Sequence, residues 1–197
     1  TLADVRSMWV GLRPLVKPQD DDGENTKKIS REHTVMASKT GLVTVTGGKW
    51  TTYRAMSEDV LAECFQIGRL PSRPAGVTVN LPLVGAPAEA AVTHSMNQAQ
   101  GLHSYGTDAE AVASLPGAQN WLMDGLSEAM VRFAARFEYA RTVEDMLARR
   151  SRLLFLDARK AAEIAPRVAA ILVEELGRDA NLNDFMVLAQ QYLPVQA

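Results

Sequence analysis

The hydrophobic period changes along this chain, and the change restricts it to a β-containing start followed by helices. Up to Gly48 the apolar residues fall in short β-branched runs bounded by turn signals; beyond Thr107 such runs nearly vanish, and Ala, Leu, Arg and Glu dominate. A strand buries every second residue and a helix every third or fourth, so the two patterns specify different elements. Three candidate strands lie within SMWVGLRPLV, ISREHTVMAS and GLVTVTGG, and the charged stretch KPQDDDGENTKK between the first two reads as a solvated loop. In the second strand Ile29, Arg31, His33 and Val35 share one face. From Trp50 the period becomes helical through Tyr53, Met56, Val60, Cys64 and Ile67, which predicts a helix of about 15 residues ending near Gly68.

The following Pro- and Gly-rich segments LPSRPAG, LPLVGAP and QGLHSYG show no sustained period and read as a connector. Helix starts are expected at Thr107, with Asp108 and Glu110 behind it, at Thr142, with Glu144 and Asp145, and at Asp157. The helix after Asp157 presents Ala161, Ala165, Val168, Leu172 and Leu176 on one stripe and should stop at Gly177. Pro166 inside it should kink or split it, because proline lacks an amide donor and crowds the preceding turn. A last helix is expected over Leu182–Leu193. The fold class is therefore α+β and mainly α. Residues 1–67 hold the strands and one helix, 68–106 the connector, and 107–197 an all-α domain.

With 197 residues and 47% hydrophobic content, two small domains are permitted. A net charge of -2 argues against a nucleic-acid partner. Cys64 is the sole cysteine and excludes an intrachain disulfide or a cysteine-rich metal site; no metal is expected, and the cytoplasm is the default compartment. The opening residues lack the pattern of a signal peptide, and no run of about 18 apolar residues occurs. The start without methionine suggests an excised piece of a longer protein.

Chemistry concentrates in LVTVTGGKWTTYRAMSEDV. An apolar strand, two glycines, a lysine and a helix start form a corner that favours anions: glycines admit a ligand close to the backbone, and helix-start amides carry partial positive charge. Gly-Gly at such a corner can also serve the turn alone. His33 is open to two readings, proton transfer or a structural tie, and Cys64 reads as core. His94 and His103 read as solvated, and Asp20, Asp21, Asp22 and Glu24 lack the ligand spacing of a calcium loop. The arginines at 132, 136, 141, 149, 150, 152 and 159 could form a docking face, but the interspersed acids favour solvated, ion-paired helices.

Read in order, GLRPLVKP, ISREHTV, GLVTVTGGKWTTYRAMSEDV and FAARFEYARTVEDMLARRSRLLFLDARKAAEIAPRVAAIL resemble the C-terminal part of the FAD-dependent, aerobic-type glycerol-3-phosphate dehydrogenases. The resemblance spans nearly the whole chain. It implies that residues 1–67 are a piece of a mixed-sheet FAD-dependent oxidoreductase domain. Gly47, Gly48, Lys49 and Thr51 are then flavin-binding, and Arg13, Lys49 and Arg31 substrate-binding. Arg13 read alone fits a surface arginine, and Arg31 a salt-bridge partner. Trp50 stands where leucine is common in the family, which alters packing behind the flavin. The implied reaction oxidises sn-glycerol 3-phosphate to dihydroxyacetone phosphate and passes electrons to a quinone. The catalytic residue is unassigned.

Peripheral attachment to the inner face of the cytoplasmic membrane follows from the same resemblance, and a homodimer is compatible with it. The G-x-G-x-x-G corner that such enzymes use for the pyrophosphate is absent. The chain alone is therefore expected to retain little FAD and to be inactive. Two rival functions are a glycerophosphate oxidase with oxygen as acceptor, and a helical assembly module without catalysis.

Overall fold

The computed structural model describes residues 1, 4–12, 32–74, 76–87 and 100–194. By their contacts, Gly11–Leu81 form one unit, and Thr1–Val10 with Pro82–Ala197 another. The described part of the first expected strand, Ser7–Leu12, is irregular rather than extended in a sheet. Instead the Met8 amide donates to the Tyr192 carbonyl at 2.8 Å, and the Ser7 hydroxyl bonds the Leu154 carbonyl and the Ala158 amide.

In the first unit, β1 (His33–Ala37) and β2 (Val43–Gly47) pair antiparallel, His33 opposite Gly47 and Ala37 opposite Val43. A turn of 3-10 helix, Trp50–Thr52, leads into α1 (Tyr53–Gln66), close to the expected helix. Gly68 ends it in the left-handed conformation (φ 70°), its amide on the Phe65 carbonyl and that of Arg69 on the Cys64 carbonyl. This pair of bonds satisfies two carbonyls that the helix leaves free. His33 Nε2 lies 2.6 Å from Asp59 Oδ2 and ties β1 to α1. No described residue of this unit is buried, and Cys64, expected in a core, is half-buried. A two-stranded hairpin and one helix are too few layers to exclude water.

The second unit carries the buried apolar residues, from Val112 to Ala189. Short 3-10 turns occupy parts of the expected connector, Val77–Asn80 within the first unit and Leu102–Asp108 within the second, where α2 (Ala109–Ala113) follows. Thr107 does not cap it; its amide binds the Gly85 carbonyl at 2.9 Å. The expected all-α region also contains a small ribbon, β3 (Trp121–Met123) against β4 (Leu126–Ser127). Asp124-Gly125 turns between them, with Gly125 at φ 79°, a left-handed conformation that glycine adopts freely.

α3 (Glu128–Phe137) comes next. The Thr142 start is present as a reciprocal cap: the Asp145 amide donates to Thr142 Oγ1 at 3.1 Å and the Thr142 amide to Asp145 Oδ2 at 3.0 Å. It opens a π-helical turn, Asp145–Arg150. Short α4 (Leu153–Leu156) precedes α5 (Ala158–Leu176), whose Asp157 cap accepts from the Lys160 amide at 2.9 Å and whose Gly177 stop has φ 65°. α5 is not split at Pro166. That residue lies on the exposed face, where water can take the carbonyl that proline leaves without a donor. α6 (Leu182–Tyr192) closes the unit.

Candidate functional site

The end of β2 and the start of α1 bring Gly47, Gly48, Lys49 and Thr51 to one exposed corner. Gly47 (φ 76°) and Gly48 (φ 81°) both use left-handed backbone, which only glycine adopts in succession without strain. A Cβ on Gly48 would stand 2.6 Å from Met56 Sδ and 3.1 Å from His33 Cβ, so the backbone here is drawn against both neighbouring elements. The Lys49 carbonyl accepts from the amide and hydroxyl of Thr52, each at 3.0 Å, which fixes the tight turn. Among the described residues, the amides of Gly48, Lys49, Trp50 and Thr51 donate none of the loop or side-chain bonds found, as expected of a helix start.

The electrostatics at this corner are positive. Lys49 is exposed, and neither the 3-10 turn nor the first turn of α1 contains an acid. The nearby Arg54 is engaged by Glu58 at 2.6 Å and Thr78 at 3.3 Å, which leaves Lys49 and the helix amides as the anion-attracting groups. Trp50 is 86% exposed and stacks on Tyr53, with ring centroids 5.6 Å apart and an interplanar angle of 29°. It therefore presents a flat apolar face beside the corner. The spacing of these two aromatics, one turn apart, was the available signal for that face.

Arg13 and Arg31 lie outside the described residues, as do His94 and the acidic run from Asp20 to Glu24. His33, with its ring nitrogen on Asp59, has the geometry of a structural tie.

The arginines of the helical unit are largely occupied. Arg132 binds Glu174 at 2.6 Å and Glu175 at 2.7 Å, Arg136 binds Glu175 at 2.6 Å, and Arg167 binds Glu128 at 2.6 Å. Arg149 pairs with Glu144 and Asp145, Arg141 lies over the Tyr139 ring, and Arg150 holds the Glu138 carbonyl. These pairings match the ion-paired part of the expectation, but Arg132, with its side chain 13% exposed, is withdrawn from water rather than solvated.

His103 is half-buried rather than solvated, in a groove with Tyr105, Phe133 and Glu138. Burial pushes the Tyr105 phenol well above its ordinary range, and Glu138 adds to that shift. Burial also raises the Glu138 carboxyl; Arg150 opposes this and Asp108 adds to it. Among the described residues no group of His, Cys, Asp or Glu is placed to hold a metal ion, and no helix is long and apolar enough to cross a membrane.

Comparison with known proteins gives one family match, to the C-terminal domain of alpha-glycerophosphate oxidase, over residues 76–182. The chain is 34% identical to a probable mitochondrial glycerol-3-phosphate dehydrogenase of Caenorhabditis elegans, over 88% of this chain and 26% of that protein. It is 36% identical to a mitochondrial glycerol-3-phosphate dehydrogenase of Arabidopsis thaliana, over 87% of this chain and 32% of that protein. The human mitochondrial glycerol-3-phosphate dehydrogenase is 36% identical over 92% of this chain and 27% of its own length. The chain thus spans between a quarter and a third of the length of these relatives. No solved structure matches it.

Proposed function

Since the chain belongs to the family of the C-terminal domain of alpha-glycerophosphate oxidase, we propose that it is the C-terminal part of a flavoprotein that oxidises sn-glycerol 3-phosphate to dihydroxyacetone phosphate. The observation that carries this reading is the corner at Gly47–Thr51. Its paired left-handed glycines, acid-free helix start and exposed lysine suit an anionic edge, as a flavin and a phosphate ester both provide. The half-exposed hairpin and α1 support it too, because their apolar side chains call for further layers of a larger domain.

FAD fits this corner. Gly47, Gly48, Lys49 and Thr51 would hold its ring edge, and when bound the flavin supplies a hydride acceptor for C2 of the substrate. The helix-start amides would stabilise negative charge at that edge. Lys49 would hold the substrate phosphate as a point charge, and Arg13 and Arg31 would add guanidinium groups, whose planar fork suits a phosphate. Anchoring the phosphate orients C2, and such orientation supplies a large share of the rate. Quinone as the electron acceptor, peripheral association with the inner face of the cytoplasmic membrane, and homodimer assembly complete the proposal. The helical unit takes no chemical step.

The relatives are named dehydrogenases while the family model is named for an oxidase, so the acceptor is the point on which the rival differs. Steady-state kinetics of the full-length protein test both parts. Arg13→Ala and Lys49→Ala should each raise the KM for glycerol 3-phosphate at least about tenfold, the loss of one charge-assisted phosphate bond, with quinone rather than oxygen consumed. Unchanged kinetics in both variants would favour the assembly-module reading, and oxygen uptake the oxidase.

A further inference from the structure

The hairpin of the first unit is tied to α1 at both of its ends, and one of the ties adjoins the corner at Gly47–Thr51. At that end His33 opens β1 opposite Gly47, the last residue of β2. Its ring Nε2 lies 2.6 Å from Asp59 Oδ2 on α1; a carboxylate oxygen accepts, so the ring N–H donates. The same side chain backs the next residue of the corner. A Cβ on Gly48 would stand 3.1 Å from His33 Cβ and 2.6 Å from the sulfur of Met56, three residues before Asp59 on α1. His33 thus stands between the helix and the backbone of both glycines. At the other end of the hairpin, roughly 13 Å along the strands at 3.3 Å per residue, Arg69 Nη2 donates to the Thr40 carbonyl at 2.8 Å. Two polar ties therefore join the same elements, and only one of them meets the corner.

Glycine loses more conformational freedom on ordering than any other residue, so two in succession hold one shape only where their neighbours impose it. Gly47 and Gly48 are both left-handed, and His33 with Met56 is what they are drawn against. We propose that His33, oriented by Asp59, is a positioning residue for this corner: it fixes the path of Gly47-Gly48 and so aims Lys49 and the helix-start amides at the ring edge of the flavin. This rests on the reading of Gly47–Thr51 as a flavin site. In this role His33 moves no proton of the substrate, and its effect falls on how the flavin is held.

The test uses the full-length protein with His33→Ala, His33→Gln, Asp59→Ala and Arg69→Ala. Asp59 is 59% exposed, so its truncation breaks the tie without opening a void. Loss of one such hydrogen bond corresponds to about fivefold. Titration of the apoprotein should show His33→Ala and Asp59→Ala each raising the Kd for FAD about fivefold. Both should also lower the potential of the bound flavin, because a displaced positive corner favours the reduced, anionic form less. His33→Gln, which keeps a donor within reach of Asp59, should restore both readings, and Arg69→Ala, which breaks the far tie, should change neither. Hydrogen exchange over Val43–Tyr53 should be faster in His33→Ala and Asp59→Ala. Unchanged affinity and potential in those two variants overturn the inference, as does an equal loss in Arg69→Ala, which would mark general loosening. A fall in kcat for glycerol 3-phosphate with FAD affinity unchanged overturns it in favour of proton transfer by His33. If the wild-type protein binds no FAD, the functional reading fails, and hydrogen exchange still decides whether His33 holds the corner: faster exchange supports that part and unchanged exchange overturns it.

Discussion

Gly106 shows how a single residue can be fixed by a contact remote in sequence. Its backbone (φ 55°, ψ -122°) is open to glycine alone, and a Cβ there would stand 1.9 Å from the Gly85 carbonyl oxygen. Gly106→Ala should therefore cost about 2 to 4 kcal/mol in chemical unfolding. Gly68→Ala, with left-handed backbone but open space, should cost only about 1 kcal/mol. QGLHSYG carried the signal of a break, so a turn was legible at Gly106, but the requirement for Gly85 was not. Local patterns register backbone conformation and are blind to which distant carbonyl approaches. The anion corner was legible because its causes are all local: two glycines, a lysine and a helix start without acids. Thr107 misled, since a hydroxyl before acids signals a cap, whereas Thr107 lies inside the 3-10 turn Leu102–Asp108 and Asp108 takes the position before α2.

At the scale of elements, α3 and α5 are clamped by charge as well as by apolar packing. The Arg132 side chain is 13% exposed and Glu175 9%, so this pair is largely withdrawn from water. Glu175→Ala leaves Arg132 with only the exposed Glu174 and should destabilise by about 3 kcal/mol in denaturant unfolding, whereas Lys160→Ala, which breaks an exposed pair with Glu163, should cost under about 0.5 kcal/mol. The pH dependence has a definite sign. The hydrogen bond from Arg136 holds the Glu175 carboxyl below its ordinary range against the effect of burial, and Arg132 assists; Arg167 does the same for Glu128. A depressed folded-state value contributes stability above the unfolded value, about 4.3 for Glu, and that contribution disappears as pH falls below it. Acid unfolding should be less steep in Glu175→Gln than in the wild type.

Periodicity gave α1, α5 and α6 because each has a long stripe with a capping or stopping residue. The β3–β4 ribbon was missed although Asp124-Gly125 is a strong hairpin signal, since its strands are too short for a period of two to emerge. The continuity of α5 through Pro166 depends on which face the proline occupies, and only packing decides that.

For the whole molecule, the two units differ in how completely they bury their own apolar surface. The helical unit has a core running from Val112 to Ala189, while no described residue of Gly11–Leu81 is buried. The sequence foretold a mainly α chain with β structure near its start, but the irregular course of Ser7–Trp9 could not be read from it. Ser7 and Met8 satisfy helix ends from α4, α5 and α6, far away along the chain, and Trp9 packs on Phe155. The central claim is that Gly47–Thr51 form one edge of a flavin and phosphate site completed by a longer protein. It is tested most directly by anaerobic mixing of glycerol 3-phosphate with the full-length protein and, separately, with the 197-residue chain supplied with FAD, following flavin absorbance. The account predicts bleaching of bound flavin in the full-length protein and neither tight FAD binding nor bleaching in the chain alone. A full-length protein that holds no flavin, or whose flavin glycerol 3-phosphate does not reduce, would contradict it.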